Sequence, residues 1–234
     1  MTPTIIGDAT LLNCDCMEYM RGLPDKYYDL CICDPPYGIG DALVVGGSSG
    51  GWAGMTNSGA NKWDVKPPQE YFEELFRVSK NQIIWGGNFF ILPECRQPIC
   101  WDKDRPNQKN ASEWEYAWTS FTGRARLFKH CANAGFILPE PRIHPTQKPV
   151  KLYEWLLTNY AKPGDRILDT HGGSMSSVIA CLNLGFSVTC CERDPDYFAT
   201  AQARVRNAQR QQPMFAPELP KQIQETLLEN PEQP

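Results

Sequence analysis

Apolar residues along this chain fall into short runs punctuated by glycine, proline and asparagine, a pattern that predicts alternating strands and helices. Residues 9–20 read as a short strand ending near Asp15 and passing into a helix closed by Gly22 and Pro24. Tyr28–Cys33 is an apolar run with the look of a buried strand, and it stops at Asp34-Pro35-Pro36-Tyr37. Consecutive prolines donate no ladder hydrogen bonds, so the chain leaves the sheet there, carrying a carboxylate, two carbonyls and an aromatic ring. After Pro67-Pro68, the residues Tyr71, Phe72, Leu75, Phe76 and Val78 share one helical face. Further strands are expected over 81–88, broken at Gly86 and Gly87, over 98–103, and over 113–119, where polar and aromatic residues alternate.

The last third has the clearest periodicity. Residues 149–161 form an amphipathic helix with Leu152, Trp155, Leu156 and Tyr160 on one side, and Pro163-Gly164-Asp165 makes a turn. A strand over Arg166–Asp169 then leads into a glycine bend at 170–174, a helix over 175–184 stopped by Gly185, a strand over 186–191 reaching Glu192, and a helix over 195–211. Strand, glycine bend, helix, strand and acid is a βαβ arrangement suited to a nucleoside, with Glu192 where a carboxylate accepts two ribose hydroxyls. The glycines do not follow the dinucleotide pattern G-x-G-x-x-G and no phosphate-loop lysine follows, so NAD and ATP are disfavoured. Ligands of open α/β sheets bind beyond the carboxyl ends of the strands, which brings Asp15 and Asp34 to one rim; Asp15 alone reads equally as a helix N-cap.

Composition sets the frame. The 234 residues, 41% hydrophobic, suffice for one domain, read here as 1–212, with a Pro-containing tail at 213–234 that is mostly acidic from Glu218. No stretch is long and apolar enough for a membrane span and the first residues lack a signal-peptide pattern, so a cytoplasmic protein without membrane contact is expected. Most of the ten cysteines sit in apolar runs and read as small buried hydrophobes, while the scattered His130, His144 and His171 give no zinc-ligand spacing. The glycine-rich residues 38–61 show no period and extend directly from the Asp34 turn. Net charge is −4, yet Arg124, Arg126, Lys129, Arg142, Lys148 and Lys151 face only Glu140 between positions 124 and 151, a local basic face able to attract phosphates.

The chemistry of Asp34-Pro35-Pro36-Tyr37 suits a planar amine: the carboxylate and the Pro35 carbonyl accept its two N–H bonds, and Tyr37 offers a ring on which a nucleobase can stack. Together with His144-Pro145-Thr146-Gln147-Lys148-Pro149 and Ile167-Leu168-Asp169-Thr170-His171-Gly172-Gly173-Ser174, in that order, it resembles the circularly permuted β-class of S-adenosylmethionine-dependent DNA amino-methyltransferases, particularly compact phage and prophage enzymes. The resemblance runs from about Thr10 to Arg206. It implies a Rossmann-like α/β methyltransferase fold, circularly permuted, with a mixed sheet, helices on both faces and small target-recognition insertions at about 38–66 and 104–143. It further implies catalysis by Asp34, Pro35, Pro36 and Tyr37, and cofactor contacts from Asp15, Thr146, Lys148, Asp169, His171, Gly173, Ser174 and Glu192, with Lys148 reaching the methionine carboxylate. Double-stranded DNA is the implied partner, with Arg124, Arg126, Lys129 and Arg142 as its contacts, and a homodimer would enlarge the contact area of so small a recognition region.

The aspartate form of the motif is similar to that of adenine-N6 enzymes. Cytosine-N4 methylation, methylation of RNA or of a protein glutamine amide, and a non-catalytic DNA-binding relic remain as alternatives. One departure stands out: the family's Gly-Ser-Gly turn is Gly173-Ser174-Met175 here.

Overall fold

The computed structural model describes residues 2–39, 64–104, 112–131 and 142–211. Nine strands form one mixed sheet in the order β1-β2-β9-β8-β3-β4-β6-β5-β7, from β1 (Thr4–Ile6), β2 (Ala9–Asn13), β3 (Tyr28–Cys33), β4 (Ser79–Trp85), β5 (Ile99–Asp102), β6 (Trp114–Thr119), β7 (Arg126–Lys129), β8 (Arg166–Asp169) and β9 (Ser187–Glu192). The helices are α1 (Cys16–Arg21), α2 (Gln69–Val78), α3 (Val150–Tyr160), α4 (Ser176–Leu184) and α5 (Pro195–Arg210). The run β2-β9-β8-β3-β4 is parallel throughout, as its near-continuous apolar sequences require when both faces are covered. On one face Leu152, Leu156, Val178, Ile179, Ala201 and Val205 of α3, α4 and α5 meet Ile32, Ile83 and Val188; on the other, Met20, Tyr71, Phe72 and Leu75 of α1 and α2 meet Cys31, Ile84 and Leu168.

Connectivity decides where a ligand can sit. From β3 the chain crosses through α2 to β4 on one side, and from β8 it crosses through α4 to β9 on the other. The β3/β8 boundary is therefore the point where the winding direction reverses, which in open α/β sheets is where the ligand crevice lies beyond the strand ends. Asp34 follows β3 and Asp169 ends β8, so the two predicted motifs meet at that crevice.

Two expectations are corrected and one strand was missed. Residues 120–143, read as irregular, contain β7, which pairs in parallel with β5 at the sheet edge; its Arg-Leu-Phe-Lys sequence is too short and too exposed to announce a strand. The first residues hold β1, antiparallel to β2 and unread. Met175, read as the first residue of a helix, is instead its left-handed N-cap at φ +57°, and α4 begins at Ser176. The residues 40–63, 105–111 and 132–141 of the expected insertions, and the tail from 212, lie outside the described residues.

Met175 pits two effects against each other. A side chain in the left-handed region costs roughly 1–2 kcal/mol, but Met175 is fully buried among the helices of the larger core cluster. Removing a buried side chain of that size costs about 2–5 kcal/mol, so burial wins. Met175→Gly is expected to lower stability by about 1–3 kcal/mol despite the relieved backbone; a urea midpoint equal to or above the parent's contradicts this balance.

Candidate active site

Carboxylates stand at the ends of neighbouring strands: Asp15 beyond β2, Glu192 closing β9, Asp169 closing β8, Asp34 beyond β3, with Glu115 on β6 further along. Asp15 caps α1, its carboxylate accepting from the Met17 N–H at 2.8 Å, so the N-cap reading holds. Glu192 holds the glycine bend: one oxygen accepts the Gly173 N–H at 2.7 Å and the other the Asp194 N–H at 2.8 Å. Burial raises the Glu192 pKa against these donors. Gly173 sits at φ +48°, a conformation only glycine adopts without strain, which lets its N–H turn onto that carboxylate. Gly172 packs so closely that an added Cβ would meet Cys190 Sγ at 2.5 Å.

Asp169 is buried, accepting from the His171 N–H at 3.0 Å and from the Ser177 hydroxyl. Burial pushes its pKa up to about 6 although both donors oppose the shift. Ser177, in the first turn of α4, had no signal in the sequence. His171 is tied into the scaffold, its Nδ1 lying 3.0 Å from Thr170 Oγ1, which in turn is 2.6 Å from the Tyr71 hydroxyl of α2. His144 and Thr146 form a turn against this bend, with His144 Nδ1 3.0 Å from Thr146 Oγ1 and the His144 ring edge-on to Tyr197 at 4.5 Å. Ser174 is buried beside Ser176, their hydroxyls 3.1 Å apart.

At Asp34 the charges close on one another. Oδ1 accepts from the Tyr37 hydroxyl at 2.5 Å and Oδ2 from Lys148 Nζ at 2.5 Å. Lys148 is 4% exposed, and its Nζ also lies 3.0 Å from Glu115 Oε2 and 5.3 Å from the centre of the Trp85 ring. Glu115 Oε1 pairs with Lys103 at 2.7 Å. Burial alone would lower the Lys148 pKa, but Asp34 and Glu115 together raise it. Burial and the Glu115 charge leave the Asp34 pKa raised against the pull of Lys148. Burial would also raise Glu115, yet the two lysines hold it down at about 2. Lys148 thus joins Asp34 and Glu115 in an ion pair, a position not expected for a residue read as a contact of the methionine carboxylate. Glu115, Lys103 and Trp85 were not singled out in the sequence, because an acid in an alternating strand reads as a solvent-facing position.

Tyr37 is stacked on Phe89, ring centres 4.9 Å apart and planes nearly parallel, so that face of its ring is taken. Gly86, at φ +66°, makes this packing feasible: a Cβ there would fall 2.2 Å from the Tyr37 ring. Pro35 is buried and Pro36 half-buried.

The basic residues sit on the distal part of the sheet. Register places Arg126 level with Ile99 and Ala117, and so with Trp85 at the end of β4, while Lys129 extends past the rim. Arg126 bonds Asn159 of α3 at 2.7 Å and lies over Trp155; Lys129 pairs with Asp104 at 2.9 Å; Arg124 and Arg142 are exposed. All ten cysteines are free thiols, and no group of metal-ligating side chains occurs among the described residues. No described helix is long and apolar enough to cross a membrane.

A parallel α/β sheet with acids and a glycine bend at its switch point defines a methyltransferase-like fold, and solved structures agree. The structure described as the M1.HpyAVI–SAM complex matches with a TM-score of 0.56 at 21% identity, covering 84% of this chain and 99% of that one. PvuII DNA methyltransferase, described as cytosine-N4-specific, matches at 0.52 and 12% identity, covering 86% and 91%. The type II methyltransferase M.HinfI of Haemophilus influenzae is 24% identical over 257 residues, covering 84% of this chain and 68% of that protein. The N6_N4_Mtase family, described as DNA methylase, matches residues 84–203, just over half of the chain, and the protein belongs to that family.

The buried His144 and the half-buried His171 bear on stability in acid. Burial lowers both His144 and His171 to about 4, with Lys148 adding to the effect at His144. The folded state therefore favours their neutral forms, and the stability this gives is full above pH 6.5 and lost as pH falls through 4. Asp169, raised to about 6, acts oppositely, gaining on protonation, as do Asp34 and Glu192, whereas Glu115, held at about 2, adds to the loss in acid; above pH 4.5 the two histidines carry the larger change. The urea midpoint is expected to fall between pH 6.5 and 4.5, and His171→Asn to flatten that slope by roughly 1–3 kcal/mol; equal slopes in parent and variant contradict the assignment.

Proposed function

We propose that this protein transfers the methyl group of S-adenosylmethionine to the exocyclic N6 of adenine in double-stranded DNA. The observation that carries the reading is the half-buried, ion-paired Asp34 carboxylate at the β3/β8 switch point, next to the acid-lined glycine bend of β8 and β9. The donor set fits the cofactor: Asp15 and Glu192, at the ends of adjacent strands, suit an amino group and ribose hydroxyls, and the left-handed Gly173 turns the bend back onto Glu192 beside them. In this reading Asp15 takes the cofactor's adenine amine and Glu192 its ribose, while Asp169, His171, Gly173, Ser174 and Thr146 surround its methionine end. Lys148 serves Asp34 instead. Bound S-adenosylmethionine would supply an electrophilic methyl group on a sulfonium, whose carbon–sulfur bond breaks as the amine nitrogen takes the methyl group, leaving a neutral thioether and one amine proton to be released to water.

The residues of the chain then do three things. An ionised carboxylate has about four lone-pair sites, and Tyr37 and Lys148 use two at Asp34, which leaves room for one amine N–H. The Pro35 carbonyl takes the second N–H, so the nitrogen lone pair, otherwise delocalised into the ring, is turned toward the methyl group. Pro36 fixes the turn that presents both acceptors. The base must leave the duplex to reach this depth, and the Tyr37–Phe89 stack forms an aromatic wall for it. Arg124, Arg126, Lys129 and Arg142 supply phosphate contacts that hold the duplex without reading sequence.

The PvuII likeness keeps cytosine-N4 as the second reading, since both bases present the same NH2 group. Expression in a methylation-free host followed by nucleoside mass spectrometry separates them: N6-methyladenine is expected, and N4-methylcytosine alone would transfer the assignment to cytosine. Asp34→Ala is expected to reduce methyl transfer at least about 100-fold while S-adenosylmethionine binding, followed by calorimetry, changes little. Undiminished transfer by this variant removes Asp34 from the mechanism.

A further inference from the structure

Glu115 belongs to the extension of the sheet, one strand beyond β4, and nothing in the proposed reaction requires it. Its placement is nonetheless specific. Lys103, Glu115, Lys148 and Asp34 form a line of alternating charge, with contacts of 2.7, 3.0 and 2.5 Å, running from β5 through β6 to the end of β3. The four charges sum to zero. Lys148 is 4% exposed, so the partners around it, rather than water, decide how its charge is shared.

We infer that Glu115 is a positioning residue of the transfer reaction: by sharing the Lys148 ammonium with Asp34, it keeps the Asp34 carboxylate able to accept the substrate amine. The inference rests on the proposed amine methylation. If Lys148 paired with Asp34 alone, its charge would be drawn wholly to the carboxylate that must bind the amine, making that carboxylate a poorer acceptor. The line would also carry an unbalanced positive charge beside a nitrogen that becomes positive as its new C–N bond forms. Glu115 removes both penalties without touching the base. The other groups facing Lys148 cannot replace it: Tyr37 Oη lies 3.5 Å away and is engaged with Asp34, Trp85 offers a ring face, and His144 is a neutral or cationic neighbour. Tyr153, which also senses both carboxylates, is a buried phenol whose pKa is driven upward by that burial, and so carries no charge.

The test compares the full chain with Glu115→Gln and Glu115→Asp. Single-turnover transfer to duplex DNA is expected to fall about tenfold or more in E115Q and to recover partly in E115D, with cofactor affinity within about threefold of the parent. The titration of Asp34 gives the readout that damaged packing would not. Its carboxyl 13C signal, assigned with Asp34→Asn, is expected to titrate at least about half a pH unit lower in E115Q, because a like charge has gone and Lys148 has one partner fewer. The acid limb of the kcat profile should move the same way while kcat itself falls. An Asp34 midpoint that stays or rises, transfer within about twofold of the parent, or failure of E115D to recover activity overturns the inference. The NMR arm needs no turnover: a parent that never methylates DNA counts against the proposed reaction, whereas an active parent with an unmoved Asp34 counts against Glu115 alone.

Discussion

A lysine ammonium with almost no contact with water is tolerable only when carboxylates surround it, and at Lys148 that requirement organises the site. Removing one partner from a buried pair costs about 3–5 kcal/mol, because the charge left behind has nowhere to go. Asp34 and Glu115 meet the requirement from two different strands. The segment ahead of α3, the end of β3 and the middle of the sheet extension are thereby fixed to one another at the same few atoms. A turn that would otherwise be held only by its prolines becomes a rigid acceptor.

The second constraint is the sheet's winding. Parallel strands buried on both faces leave only their carboxyl ends for chemistry, and reversal of the crossover direction between β3 and β8 opens those ends. Asp34 and Asp169 therefore meet although the chain carries them in separate halves. Tyr71 stitches α2 to the bend after β8 through Thr170, so the helix layers steady the rim as well as cover the core. Family membership and architecture point to the same crevice: the matched residues 84–203 include β8, β9 and the glycine bend, while Asp34 lies outside that match and is joined to it by Lys148.

Much of this was legible in the sequence, for a physical reason. Strands such as Tyr28–Cys33 and Arg166–Asp169 are short apolar runs that end in prolines or glycines, and those endings are set by backbone chemistry rather than by tertiary context. The acids at the strand ends could be named because their place in the pattern is local. What stayed hidden depends on distant partners. β7 exists through its pairing with β5, and nothing in Arg126–Lys129 alone demands a strand. Glu115 occupies a polar slot of an alternating strand, and only the sheet order turns that slot toward Lys148. The left-handed Met175 broke the rule that glycine fills such positions, because a core cavity holds its side chain.

The sheet order also bears on how the molecule comes together. Strand β2 finds its parallel neighbour only in β9, and β3 lies between β4 and β8. As the chain leaves the ribosome, β2 can pair with β1, but its other edge and one edge of β3 must wait until the last third has been made, and contacts so distant in sequence form slowly. The charged centre is completed in the same late step: Asp34 emerges early, Lys148 long afterwards. A truncated or stalled chain would thus hold the motif Asp34-Pro35-Pro36-Tyr37 without the ammonium or the glycine bend, so the cluster is complete only with the closing of the sheet.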